Sequence, residues 1–387
     1  MTQPPPAASA PAERHRKYEV TPLELFFDLV FVFAVSQLAH HLLAHVSWRG
    51  AAETLVLLLA VFAVWYYTSW AATMIRADES PTRRMVLAVM LLGLFMNAAV
   101  SQAFTGSLTS GWAFVVPLLL IQLGRTLWTI VHAPGAVFRE HFVRVLLWLL
   151  ATTPLWIAGA LAAPGPRLLW WGVAAVVDLI GTWTAHPVPG RRMRSENLAF
   201  AGGHLLERCR LFWIVALGET VLTTGTAITA VPLSPMTVLM GTAAMVGAIA
   251  LWALGFGPTD RLTLRHVEET SNPIRASHLA ANALIVMVAG LIAVAVANEM
   301  VIAHPYAEAP DGIHAATLPL LLFGGPILVL AAQGWYLWAV LRIPPLLRIA
   351  GIAALVVLGV AAATVPPYAA LVLAGASLTV LAMLDSR

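Results

Sequence analysis

A few ionisable side chains interrupt long apolar runs in this sequence, and their types and spacing limit the chemistry open to it. Glu24 and Asp28 are four residues apart, which puts both carboxylates on one face of a helix. Two readings stand for them. They form a cation or proton site opening at one end of a span, or they anchor the structure at a helix N-terminus or across to a neighbouring helix. Glu219 lies twelve residues beyond Glu207, about 18 Å along a helix. Thr223 follows one turn later and can face the same cavity. Glu219 reads as a proton-coupling group or as a hydrogen-bonded structural carboxylate. Arg125, three residues after Gln122, sits in an apolar run and calls for a carboxylate partner or for a route to the interface. Asp28, Asp178 and Glu219 are the candidate partners, and Asp178 is itself isolated in Val-Val-Asp-Leu-Ile.

Histidines add a second class of chemistry. His204 and Glu207 are three apart, and His278 and Asn282 are four apart. Either pair could relay protons or hold a metal ion. Neither is a complete ligand set, and capping or interhelical hydrogen bonding explains both. His40, His41 and His45 mark the far end of the first apolar run and could respond to pH. Trp65, Tyr66, Tyr67 and Trp70 form an aromatic cluster, read as an interfacial belt or as a stacking platform. Asn97, Gln102 and Gln333 can join helices as single amides. Gly324-Gly325-Pro326 suggests a kink. No Walker motif, phosphate-cradling glycine loop or HExxH site occurs. No catalytic set, metal site or cofactor is expected.

The elements that must position these groups are membrane helices. The chain has 387 residues, 60% hydrophobic and 11% charged, far below the charge of a soluble domain. With Cys209 as its single cysteine, it has no internal disulfide. The net charge of +3 comes without an aromatic-interleaved basic patch, so nucleic acid is not an expected partner. The lipid bilayer is. Hydropathy predicts an all-α, polytopic integral membrane helical bundle of about twelve transmembrane helices. The predicted helices are 22–45, 52–73, 85–105, 110–132, 141–162, 168–184, 207–229, 235–256, 277–302, 314–341, 345–363 and 366–384.

Basic residues segregate between alternate loops. One side holds Arg76, Arg83, Arg84, Arg139, Arg144, Arg191, Arg192, Arg194, Arg261, Arg265, Arg275, Arg342 and Arg348. The other holds little beyond Arg49 and Arg167, with Glu299, Glu308 and Asp311 after the ninth helix. The positive-inside rule then places both termini in the cytoplasm. Residues 1–19, with Arg14, His15, Arg16 and Lys17, read as a disordered cytoplasmic tail before a retained first helix.

An internal repeat organises the span count. Glu24-Leu-Phe-Phe-Asp-Leu-Val-Phe-Val-Phe-Ala and Glu207-Arg-Cys-Arg-Leu-Phe-Trp-Ile-Val-Ala-Leu both open a helix with a carboxylate and an aromatic-rich run. They imply a parallel six-plus-six duplication, with a first repeat at 20–184, a cytoplasmic linker at 185–206 and a second repeat at 207–384.

These residues carry a family resemblance. Val20-Thr-Pro-Leu-Glu-Leu-Phe-Phe-Asp-Leu-Val-Phe-Val-Phe-Ala-Val-Ser-Gln-Leu is its strongest block. Trp65-Tyr-Tyr-Thr-Ser-Trp with Arg84, Ile121-Gln-Leu-Gly-Arg125, and His204-Leu-Leu-Glu207-Arg208 with Leu217-Gly-Glu219 follow in order. The chain resembles the bacterial low temperature requirement A proteins, a family whose biochemical activity is poorly defined. The resemblance implies a multi-pass protein of the cell inner membrane and marks Glu24, Asp28, Arg125, His204, Glu207 and Glu219 as motif positions. It supplies no substrate. The duplicated plan and the Phe-Phe-Asp start also look distantly like a potassium or proton channel family of endosomes and lysosomes. That family has a Phe-Ser-Asp motif in each half, whereas Leu211 stands opposite Asp28 here.

The expected function is a transporter or channel for an ion or small solute, coupled to protons. Glu24 and Asp28 would form an inner gate or cation-attracting mouth, and Glu219 a protonatable site with Arg125 as counter-charge. Asp178, His204 and Glu207 complete the expected ion-coupling set. The alternatives are a non-transporting scaffold or stress-related protein, or an intramembrane enzyme acting on lipid. A homodimer is compatible with each.

Overall fold

A computed structural model of the chain describes residues 20–75, 80–133, 135–189, 202–257, 263, 273–306 and 317–386. The predicted tail 1–19, Arg76, the arginines at 191, 192, 194, 261 and 265, and Glu308 and Asp311 lie outside the described residues.

Helix starts follow local chemistry. α1 (Pro22–Ala44) begins with Pro at its first position, and Thr21 and Glu24 form a reciprocal capping box. Ser47 caps α2 (Trp48–Met74), and Ser107 caps α4 (Leu108–His132). α3 (Ser80–Ala98) ends in a short 3₁₀ turn at Val100–Gln102. α5 (Ala136–Leu161) and α6 (Pro164–Trp183) complete the first group. The second group is α7 (Gly202–Thr229), α8 (Pro235–Gly255), α9 (Pro273–Ala303), α10 (Thr317–Tyr336), α11 (Leu346–Ala362) and α12 (Pro367–Asp385). α7 starts at Gly202, so His204 belongs to a helix and not to the linker expected there.

Ten of these helices are long and apolar enough to cross a membrane. α6 carries Arg167 and Asp178, and α11 is only 17 residues long; neither is among the ten. α3 exposes Leu87, Leu91, Leu94 and Phe95 along one stripe, and α12 exposes Val372, Leu373, Val380 and Met383. In water such continuous apolar faces would be a liability, whereas lipid solvates them. The chain is a multi-pass all-α protein of the cell membrane.

Packing follows chain order within each group. α1 touches α2 and α3, α3 touches α4, α4 touches α5, α5 touches α6, and α2 touches α6. In the second group α7 touches α8 and α9, α9 touches α10, α10 touches α11, α11 touches α12, and α8 touches α12. The groups meet where α1 and α2 pack on α7 and α9. α2 is central, with neighbours α1, α3, α4, α6, α7 and α9.

Small residues set the close crossings. A Cβ at Gly290 would fall 2.5 Å from the Gly325 carbonyl oxygen, and one at Gly325 would fall 2.6 Å from that of Gly290. α10 continues through Pro326, and Gly325 serves a tight α9–α10 crossing. Arg167, expected in an outer loop, is buried. Its guanidinium donates to the carbonyls of Ala103 (2.6 Å), Ala162 (3.1 Å) and Gly159 (3.2 Å) and ties together the ends of three helices.

Candidate functional site

Two buried polar regions lie side by side at one end of the bundle, separated by the wall of α2. The first joins the two helix groups. Glu24 accepts from the Thr21 amide at 2.9 Å through the capping box. The same oxygen is 3.4 Å from Nε2 of His204 on α7, and the other is 3.7 Å from Arg208. One turn along, Asp28 accepts from Arg208 at 2.5 Å and from the Trp65 indole N–H at 2.7 Å. The Arg208 guanidinium lies over the rings of Phe27 and Trp65, at 5.2 and 5.8 Å. Glu24, Asp28, Arg208 and Trp65 are each at most 1% exposed. Glu24 pairs with His204 and Asp28 with Arg208, so α1 and α7 run in the same direction here.

Both carboxylates, expected at an inner gate or cation-attracting mouth or else as an anchor across to a neighbouring helix, are enclosed and matched by bases, and they form a clamp between the two helix groups. Arg208 is the cation whose role the sequence reading overlooked. The signal for it was the spacing, because His204 and Arg208 are four apart, as Glu24 and Asp28 are.

The other expected ion-coupling residues disperse. Glu207 turns away from His204 and pairs with Arg210 at 2.5 Å, while His204 also bonds Thr73 at 3.2 Å. Arg125 finds no carboxylate among the described residues. It donates to Gln122 (2.5 Å), Thr68 (3.4 Å) and the Val64 carbonyl (3.4 Å), and lies 5.3 Å from the Tyr67 ring centre. The expected Arg125–Glu219 counter-charge is therefore not built. Glu219 is buried and faces Ser36 and His40 of α1. The Thr223 hydroxyl turns back to the Glu219 carbonyl at 3.0 Å instead of into a cavity. At the far end of α1, buried His41 is 3.2 Å from Glu53, which also accepts from Arg49 at 2.8 Å.

The second region is open space lined by polar groups. Trp65, Tyr66, Tyr67 and Trp70 are all buried on α2, not arranged as an interfacial belt. Tyr66, Tyr67 and Trp70 face a chamber of about 360 Å³ between α2, α5, α6 and α9. His141, His186 and His278 project into it from three different elements. His278 holds the Tyr66 hydroxyl at 2.6 Å, while Asn282 accepts from Trp183 at 3.2 Å, so these two share no ligand.

His186 follows α6 in a left-handed turn, with φ of 57° at Ala185 and 53° at His186. Two successive non-glycine residues in that region are strained. The turn drives the His186 ring inward to 5% exposure. Burial, then the neighbouring His141, Arg144 and His278, hold its pKa down at about 3. Its ring is therefore neutral at ordinary pH.

A directional chain leads from His186 toward a smaller cavity. The Thr182 hydroxyl donates to the Asp178 carbonyl at 2.9 Å. Thr182 must then accept from the Tyr67 hydroxyl at 2.6 Å, and Tyr67 must accept from Nε2–H of His186 at 2.8 Å. The second cavity, about 50 Å³, shares Tyr66, Tyr67 and Thr182 with the chamber. Asp178, Gln122, Asn282 and Thr152 line it. Asp178 accepts from Thr152 (2.8 Å) and Trp156 (3.2 Å), and no cation pairs with it among the described residues.

No metal-holding group of three or more His, Cys, Asp or Glu side chains occurs among the described residues. His141, His186, Tyr66 and Tyr67 were not among the expected ion-coupling residues. The φ values that bring His186 inward leave no local sequence signature, since Ala185-His186 carries no glycine or asparagine.

Comparison with known proteins agrees with the motifs. The chain is 33% identical to uncharacterized protein RA0937 of Rhizobium meliloti (strain 1021) over 338 residues, 86% of this chain and 80% of that protein. No solved structure gives a significant match. The model of the bacterial low temperature requirement A protein (LtrA) family matches residues 19–383, from just before the first helix into the last. Across both the clamp and the chamber, the chain belongs to the bacterial low temperature requirement A family.

Proposed function

We propose that this protein is a membrane transporter or channel for a small solute or ion, coupled to protons, and not an enzyme. One observation carries the reading. The histidine chamber shares Tyr66, Tyr67 and Thr182 with a second cavity, which is lined by a partly buried carboxylate, Asp178, that meets no cation among the described residues. Intramembrane carboxylates facing a cavity belong to ion and proton pathways more often than to lipid-facing surfaces. Asp178 is the protonatable group on this path. Glu219 lines neither cavity, and its role is a second, separate proposal.

In this reading twelve helices cross the bilayer as a parallel six-plus-six repeat with both termini in the cytoplasm. Support comes from the packing, since matched pairs recur in the two groups: first with second, first with third, second with sixth. The common direction of α1 and α7 at the clamp supports it too. The path lies within one chain and requires no homodimer.

The test is flux into liposomes under an imposed pH gradient, with potassium, sodium, chloride and small organic ions varied in turn. Wild type is expected to carry flux, and folded Asp178→Asn to lose it or its pH dependence. Normal flux and pH response in Asp178→Asn would overturn the proposal. The same measurement on Glu219→Gln decides whether that carboxylate takes part.

A further inference from the structure

Gln333, expected as a helix-joining amide, does not play that part. Its amide nitrogen and its amide oxygen are both buried with no partner among the described residues. Asn97, by contrast, donates across to the Val30 carbonyl at 2.7 Å. An unpaired carboxamide inside a membrane helix is costly, and the cost falls when an occupant beside it supplies the missing bonds. Gln333 lies near the end of α10 and lines a cavity of about 110 Å³ among α7, α8, α9, α10 and α11. Two other groups of the same lining are buried and unmet: the indole nitrogen of Trp213, a residue 3% exposed, and Nε of Arg348. A Cβ at Gly255 would fall 2.4 Å from that indole nitrogen, so glycine leaves it uncovered on the cavity side of α8.

The unmet atoms are three donors and one acceptor, and the acceptor stands beside a donor on one planar group. The charges nearby are already matched. Arg348 holds both oxygens of Asp385 at 2.9 Å, and Arg210 pairs with Glu207. Leu206, Leu254, Leu284 and Met287 make much of the remaining wall apolar. One water needs about 10–15 Å³ of cavity and two to four polar partners. The space holds several waters, but the wall has too few polar atoms to bind them all.

We propose that this cavity binds a small neutral aliphatic amide. The ligand N–H donates to Oε1 of Gln333, and Nε2–H of Gln333 donates back to the ligand carbonyl. The free side of that carbonyl oxygen faces the Trp213 and Arg348 donors, and a branched apolar body lies against the leucines. An ionised carboxylate has no donor for the Gln333 oxygen and no unmatched cation to meet. α9 is the wall between this site and the histidine chamber, with Ala280 and Met287 lining one and His278 lining the other. The site goes beyond the transport reading and does not rest on it.

Isovaleramide is the probe, with full-length protein in nanodiscs and empty nanodiscs as the blank. Affinity is read from a ligand-observed NMR titration. We expect isovaleramide to bind. Its isostere 4-methyl-2-pentanone, which keeps the carbonyl and lacks the N–H, and isovalerate should each bind at least about tenfold more weakly. Gln333→Leu should weaken isovaleramide by about tenfold or more and leave the ligand-free unfolding midpoint unchanged or raised, because it removes an unpaired amide. Trp213→Phe should weaken it by about fivefold. Asp178→Asn should leave it within about threefold.

No isovaleramide binding above the blank, equal binding of the ketone or of isovalerate, or unchanged affinity in Gln333→Leu would each overturn the site. A lowered ligand-free midpoint in Gln333→Leu would overturn it too, because the amide would then be holding the fold. Isovaleramide binding without flux of any solute leaves the site standing and removes the transport reading. Flux with no isovaleramide binding does the reverse.

Discussion

The clamp and the chamber are both polar and lie only a few residues apart on α2, yet they match their charges in opposite ways. At the clamp each base meets a carboxylate: Arg208 holds Asp28, His204 holds Glu24, and Trp65 adds a donor. Glu24 Oε1, Asp28 Oδ2 and Arg208 Nε still lack a hydrogen bond among the described residues, but the charges there are matched. Around the chamber and the cavity beside it, imidazole nitrogens face open space and Asp178 has only neutral donors among the described residues. A charge-paired buried network tightens the fold, and polar groups left unmatched around a cavity are free to take a ligand. Charge in a membrane protein is therefore not enough to mark a functional residue; what remains unfilled around it is the better guide.

Breaking this contrast starts at the clamp. Arg208→Met leaves two enclosed carboxylates without their main cation and should cost about 3–5 kcal/mol. The readout is the unfolding midpoint in detergent. Adding Asp28→Asn should recover part of the loss, and no recovery would show that Arg208 acts through packing on Phe27 and Trp65 instead. Trp65→Phe removes one donor to Asp28 and should cost about 1.5–3 kcal/mol by the same readout. A neutral effect would mean that Arg208 alone satisfies the carboxylate.

The chamber should respond the other way. Asp178→Asn keeps one acceptor oxygen for Trp156 and can donate its amide to the Thr152 hydroxyl, which donates to the Leu149 carbonyl, so its stability change should stay within about 1 kcal/mol while flux is lost. A large stability loss with normal flux would make the chamber a second clamp. His186→Asn should have the smallest effect on stability, under about 1 kcal/mol, because it loses one bond to Tyr67 but suits the left-handed turn.

The same variant tests pH dependence. The His186 pKa is lowered from 6.5 to about 3 on folding, so between those values the unfolded chain binds more protons. Stability then rises with pH across that window and is lost as pH falls through it. His186→Asn should make this acid limb shallower in a series of unfolding measurements, and an unchanged limb would show that His186 is not buried neutral.

Much of the architecture was legible along the chain. Every expected span from 22–45 to 366–384 has its helix, because hydropathy and capping act over neighbouring residues. Starts were less legible: α5 begins at Ala136 and α7 at Gly202, each several residues before the expected position, since polar residues extend helices past the apolar run. Of the site, Glu24 and Asp28 were visible as a pair because their spacing is local. Arg125 was misassigned because its partners Val64 and Thr68 arrive from another helix.

Composition and periodicity by themselves determined that this chain is a membrane bundle, where its helices lie and which polar groups the apolar spans must bury. Only the tertiary structure decided which of those groups are neutralised and which stay open. Asp28 and Arg208 are 180 residues apart, and His186 reaches Tyr67 across 119. The physical reason is range: burying a residue type carries a cost the chain itself displays, but the partner that offsets it is set by how helices cross.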